Sequence, residues 1–268
     1  MPGPGPGALL GRAGVGRERL FVGAGALLFL VSAGATIYLR GSMAGAMAMP
    51  GGLAVSTPWA RMPAQSWISA AASFIGMWVV MMAAMMLPSL LPVLTGYRRA
   101  VLGLGEPGPG VVTALAGAGY FLVWGVCGAV AYPLGAALAA GESQWPAVAR
   151  SAPVATGVVL LLAGWFQMTR WKARHLERCR SAPSCGPAPT ARVWNAWRYG
   201  LRLGFHCTLC CAGLMVSLLV TGVMDLAVMA VVACAITIER LAPWPNLAAR
   251  AGGTVLLGAG ALAVARAL

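Results

Sequence analysis

The chain of 268 residues is 59% hydrophobic and 9% charged, with 19 basic against 6 acidic residues and a net charge of +13. That balance excludes a water-solvated globule, a disordered chain, a collagen and a coiled coil, and it points to an all-α polytopic transmembrane helical bundle. With only Glu18, Glu106, Glu142, Glu177, Asp225 and Glu239 as acids and two histidines, enzyme classes that need several carboxylates find no support.

In chain order, the Gly/Pro-rich start Met1 to Gly7 opens a stretch, residues 1–20, that reads as a disordered cytoplasmic tail. Residues 21–268 read as a single transmembrane helical domain. A bilayer core of about 30 Å takes about 20 apolar helical residues, because unpaired backbone groups are costly in lipid. Seven stretches qualify: 21–39, 67–94, 111–139, 153–169, 204–222, 226–241 and 251–265. The fifth and sixth are joined by a tight turn at Val223, Met224 and Asp225, which predicts a helical hairpin with Asp225 capping the second member. The last stretch is rich in Gly and Ala and is the weakest span.

Lys and Arg stay on the cytoplasmic side of a membrane, so their distribution fixes orientation. With the N-terminus inside, fifteen of the nineteen basic residues fall on inner segments and four on outer ones, which predicts seven helices, N-in and C-out. A cleaved signal peptide is the competing reading of the first stretch, since Ala44 to Ala48 contains small-x-small steps. The 19-residue apolar run and Arg40 at its end favour a retained anchor. The largest inner loop carries Arg170, Lys172, Arg174, Arg178, Arg180, Arg192, Arg198 and Arg202. Such residues beside helix ends meet anionic headgroups and set topology, so they imply a lipid bilayer partner and no nucleic acid. No Gly-rich phosphate cradle follows a strand.

The chemistry-bearing residues are soft. The fifth stretch opens with Gly204, Phe205, His206, Cys207, Thr208, Leu209, Cys210 and Cys211. At 100° per residue Cys207, Cys210 and Cys211 share one face, and His206 stacks beside Cys210. Thiolate and imidazole suit Cu(I) first and Zn(II) as the alternative, and serve Mg or Ca poorly. One buried cysteine alone would read as a small hydrophobe; three at this spacing point to metal or redox chemistry. The inside-to-outside direction of this helix puts the thiols near the cytoplasmic face, where they stay reduced, which favours metal over disulfide.

The second stretch contributes Met77, Met81 and Met85 in one stripe and Met82 and Met86 in the next, ahead of Pro88. Thioether coordination and gap-filling core packing both account for the stripe. Outside, Met43, Met47, Met49 and Met62 fit either copper capture in an oxidising compartment or flexible filler. In the inner loop His175 and Cys179 stand one helical turn apart if the fourth helix continues, with Cys185 beyond; they are further candidate metal ligands. Cys127 and Cys234 are isolated and read as packing. Glu239, at the inner end of the sixth stretch, is placed to face the cysteines across the hairpin; pairing with Arg202 or reaching headgroup water beside Arg240 is the alternative.

Seven segments in order, WVVMMAAMMLPS from Trp78, GYFLVW from Gly119, AGWFQMTRWK from Ala163, Cys179–Arg180, CTLCCAGLM from Cys207, GVMDLAVMA from Gly222 and Glu239–Arg240, resemble a bacterial family of predicted metal-binding integral membrane proteins. That family is labelled a domain of unknown function, and some of its members are called copper chaperones. The resemblance covers residues 70–245 and implies a helical inner-membrane protein with metal binding. It also implies that the family's C-x-x-C-C falls on Cys207, Cys210 and Cys211 and its acidic–basic pair on Glu239 and Arg240. Where relatives often carry C-L-x-x-C after the lysine, this chain has His175, Leu176, Glu177, Arg178, Cys179. A disulfide between those two positions is therefore impossible here, while metal ligation is not. A glycine common inside the cysteine motif is Leu209 in this chain.

Together these readings give a protein that binds a soft transition metal for copper handling or delivery, with a membrane or periplasmic protein as recipient. A non-catalytic scaffold or accessory subunit and a membrane thiol–disulfide oxidoreductase are the alternatives. Neither an acidic proton path nor an ATP-binding unit is legible to drive pumping.

Overall fold

A computed structural model describes residues 6–46, 66–103, 108–180, 193–223 and 225–267. The side chain of Met43, and Met47, Met49, Met62 and Cys185 altogether, lie outside the described residues. Those residues form eight α-helices and no strand: α1 (Pro6–Ala46), α2 (Trp67–Gly103), α3 (Pro109–Gln144), α4 (Pro146–Gln167), α5 (Arg170–Arg180), α6 (Val193–Thr221), α7 (Leu226–Leu241) and α8 (Pro245–Ala267).

Six helices hold segments long and apolar enough to cross a membrane: Glu18–Gly41, Trp67–Gly103, Pro109–Gly141, Ala147–Gln167, Val193–Thr221 and Pro245–Ala267. Every expected stretch is helical. The sixth, α7, has 16 residues, about 24 Å at 1.5 Å per residue, and so is shorter than the six long segments. An eighth helix, α5, occupies the inner loop. It is separate from α4 because the chain turns at Met168 and Thr169, where the Thr169 hydroxyl accepts the Lys172 amide N–H at 3.3 Å and so caps a new helix. Helix α1 begins at Pro6, within the stretch expected as a tail.

The bundle turns an unusual face outward. Leu27, Leu28, Leu30, Val126, Val130, Leu134, Val255 and Leu262 are exposed on α1, α3 and α8, which matches an apolar solvent rather than water. More than half of the most apolar window of α2 and of α6 is buried, against about a fifth in the other four spans, so these two helices form the centre. Helix α3 bridges them: the Trp78 indole donates to the Trp124 carbonyl at 2.9 Å. A Cβ on Gly204 would stand 2.9 Å from the Tyr120 carbonyl oxygen and one on Gly119 would stand 2.9 Å from that of Trp197, so only glycine lets α3 and α6 approach this closely.

The Gly- and Ala-rich last stretch is explained in the same way. Helix α8 packs along α4, with Gly164 against the Gly253 carbonyl and Gly157 against that of Gly260 at 2.8 and 3.0 Å from their would-be Cβ atoms. At the α6–α7 turn, Gly222 has φ +133°, a conformation side chains disfavour. Asp225 then accepts the amides of Ala227 and Val228 at 2.8 and 3.1 Å, the expected cap. At the opposite end of the bundle Glu18 pairs with Arg99, Arg98 lies 4.9 Å over Phe21, and Tyr97 stacks on Tyr199 at 4.5 Å.

Candidate metal centre

The cysteine helix is longer than its apolar stretch. Residues 193–203, rich in aromatic and basic side chains, continue the helix because Ala196, Gly200 and Leu203 form a buried stripe. Cys207 is therefore the middle residue of α6 rather than lying near its start. Met85 is likewise the middle residue of α2.

The i, i+3, i+4 spacing does what it predicts. The sulfurs of Cys207, Cys210 and Cys211 all lie within 4.8 Å of one another, with Cys207–Cys211 at 3.8 Å and Cys210–Cys211 at 3.7 Å. Helix α5 adds a fourth thiol, Cys179, 3.7 Å from Cys210. All four are at most 1% exposed. Two sulfurs bound tetrahedrally to one ion at about 2.3 Å stand about 3.8 Å apart, so the spacing of the three α6 sulfurs fits a shared metal, with Cys179 beside Cys210. Tyr120 reaches the edge of this cage, its hydroxyl 3.1 Å from the Cys207 sulfur.

Glu239 does not face the cage, and it pairs with neither Arg202 nor headgroup water. Its carboxylate accepts from Lys172 at 2.6 Å and from the Gln167 amide at 2.8 Å, and Lys172 also reaches Gln167. All three side chains are buried. Lys172, read from sequence as a headgroup residue, is instead fully enclosed, because the break after α4 folds α5 back onto the end of α7. The next residue, Arg240, faces the sulfurs. Its guanidinium donates to Cys207 Sγ at 3.4 Å and to Ser89 Oγ at 3.0 Å, while its Nη2 has no partner among the described residues. A buried cation with a donor to spare is what a cluster of ionised thiols needs, since a metal-bound thiol must lose its proton. Arg180 closes the arrangement by donating to the carbonyls of Glu239 at 3.1 Å and Arg240 at 2.6 Å, so α5 straddles the end of α7.

His206 turns away from Cys210. Its Nδ1 lies 3.2 Å from Nδ1 of His175 on α5, and both rings are half-buried. Burial, with Arg178 adding to it, holds His175 below the ordinary imidazole range, so the ring is neutral near pH 7. The structure thus divides the expected ligands into a thiol cage and an imidazole pair. Met77, Met81, Met82, Met85 and Met86 are all buried in the core that encloses the cage, and the Met86 carbonyl accepts the hydroxyl of Ser89, the Arg240 partner, at 3.0 Å. Cys127 stands apart, 3.9 Å from Thr208, and Cys234 is exposed.

Sequence reasoning passes over Lys172, Gln167, Ser89 and Tyr120 as site residues, and only the resemblance points to Arg240. For Ser89, Tyr120 and Gln167 the available signal is a polar group inside an apolar run, which in a membrane helix demands a partner; Lys172, among the basic residues of α5, carries no such signal. Each of these residues also sits in a segment that carries the family resemblance; the structure sets Tyr120 and Arg240 against Cys207, Ser89 behind Arg240, and Lys172 with Gln167 on Glu239.

No curated protein matches the chain. No solved structure does either. A family model described as PpoB2, copper chaperone, matches residues 75–263, running past the expected 70–245 to take in α8. Of the two descriptions attached to the resemblance, the match carries the copper chaperone one. It spans well over half of the chain and every helix that lines the cage, and on that ground the chain belongs to the copper chaperone family PpoB2.

Proposed function

We propose that the protein is an inner-membrane copper chaperone that holds Cu(I) in the Cys207, Cys210, Cys211 cage, with Cys179 as the fourth sulfur. The observation that carries the reading is the set of buried sulfur separations of 3.7, 3.7 and 3.8 Å. Thiolate suits both Cu(I) and Zn(II), and the copper chaperone family match favours Cu(I). Arg240 balances thiolate charge, and the methionines of α2 wall the site with polarisable thioethers. Met81, Met82, Met85 and Met86 serve there as lining that takes over a sulfur position as copper leaves. The basic inner segments support an N-in orientation and the cytoplasmic-membrane location. Delivery to a membrane or periplasmic protein, rather than pumping, suits a chain with six acidic residues.

The test is metal content. Purified protein is expected to hold about one copper per chain, and the C207S/C210S/C211S variant to hold close to none by elemental analysis. Equal copper in the two would remove the cage reading. Cys179→Ser separates the metals. Structural zinc takes four ligands in a tetrahedron, so losing one is expected to cut Zn(II) affinity about 100-fold while Cu(I), held by the three α6 sulfurs, falls less than 10-fold in a competition titration. Parallel losses for both ions would show that copper too requires the α5 thiol.

A further inference from the structure

We propose that His175 and His206 form a second metal site, a two-imidazole port that receives a cuprous ion before the thiol cage takes it. The inference rests on the cage reading for the ion's destination, and on separate geometry for the port itself.

The chain contains two histidines in 268 residues, and they come from different helices to meet at Nδ1–Nδ1 3.2 Å. The 3.2 Å contact is a hydrogen bond between the rings. Two imidazole nitrogens on one ion at 2.0–2.1 Å stand about 3.3 Å apart at a tetrahedral angle and about 4 Å apart when opposed, so the pair takes an ion between its rings after parting by at most about 1 Å. The sulfurs that lie within 4.8 Å of one another do not include these rings, so the port is a separate site. Each ring is nevertheless tied to a cage thiol: His206 precedes Cys207, and His175 lies one turn before Cys179 on α5. The four sulfurs are at most 1% exposed, whereas both imidazoles are half-buried, so the port is the ligand pair that an arriving ion meets. Trp171, centred 4.2 Å from the His175 ring, and Phe205, 6.0 Å from that of His206, give it an aromatic collar.

Charge selects the ion. Arg178 lies three residues after His175 on α5 and Arg202 four before His206 on α6, each on the same helix face as its ring. Repulsion from fixed cations scales with the charge of the incoming ion, so a monovalent ion enters more readily than Zn(II) or Cu(II). The step is ligand exchange without electron transfer. Both rings bind through Nδ1 with hydrogen on Nε2, copper remains Cu(I), and the cage thiols release their protons as sulfur replaces nitrogen. Thiolate outbids imidazole for Cu(I), which gives the transfer its direction.

The experiment is a Cu(I) titration of full-length protein in detergent, purified without a histidine tag and read by X-ray absorption. Wild type is expected to take two equivalents, the first in a sulfur shell and the second in a nitrogen shell, while H175Q/H206Q takes one, in sulfur alone. Saturation of wild type at one equivalent, a second equivalent without nitrogen, or a second equivalent persisting in H175Q/H206Q would overturn the port. The wild-type shells are read without any substitution, so a variant that fails to fold leaves the answer intact. A first equivalent with no sulfur sinks the cage instead, and the nitrogen signal then decides the port on its own.

Discussion

Replacing Lys172 with methionine is expected to lower the stability of the folded chain by about 3–5 kcal/mol, the cost of leaving a buried carboxylate without its cation. Glu239 would keep only the Gln167 amide, at 2.8 Å. Unfolding in mixed micelles, followed by tryptophan fluorescence, measures the loss. The double variant K172M/E239L is expected to recover most of it, because apolar replacement of a whole buried ion pair is commonly neutral or stabilising. That pattern would identify the pair as a positioning device that sets α5, and with it Cys179, against α6. A single variant within about 0.5 kcal/mol of wild type would mean that Glu239 finds water, and that the enclosure of this pair is not maintained in the membrane.

Arg240→Met is expected to act in the opposite sense on stability and function. A charge-assisted hydrogen bond contributes about 1.5–3 kcal/mol, so removing the guanidinium from Cys207 is expected to weaken Cu(I) binding about 10- to 100-fold in competition with a chromogenic chelator. The metal-free protein, relieved of a buried cation whose Nη2 has no partner among the described residues, is expected to unfold at the same or a higher denaturant concentration. Loss of stability with unchanged copper affinity would assign Arg240 to packing between α7 and Ser89 rather than to the metal. Arg240→Lys keeps the charge without the fork of donors, and an intermediate affinity is expected.

The long apolar helices are legible because lipid imposes one requirement, about 20 residues of satisfied backbone, and hydropathy reports it directly. The same rule misses α5 and the first eleven residues of α6. Those segments are basic and aromatic, and they are helical because Leu176 and Cys179 on one and Ala196, Gly200 and Leu203 on the other find buried partners. The cage cysteines were legible because i, i+3 and i+4 place three sulfurs on one helical face whatever surrounds it. Glu239 and Arg240 illustrate the limit. Adjacent residues point about 100° apart, and nothing in the local pattern says which one meets α5 and which meets Cys207. The same spacing rule pairs His206 with Cys210, yet its partner is thirty-one residues away on a helix whose docking depends on Lys172 and Arg180. Spacing within a helix was sufficient for the sulfurs; the charge balance and the imidazole pair depend on how helices dock.

Under the proposed function, the way α5 is fastened bears on how copper leaves. Three of the sulfurs ride on a 29-residue helix at the centre of the bundle, and the fourth rides on an 11-residue one. Arg180 and Lys172 pin that shorter piece at its two ends to the terminus of a neighbour. Undocking it breaks one ion pair and the Arg180 hydrogen bonds to two carbonyls, and uncovers one wall of the chamber. Under the proposed delivery role, a recipient whose charges compete for those contacts would unlatch the ion it is about to receive, coupling recognition to release.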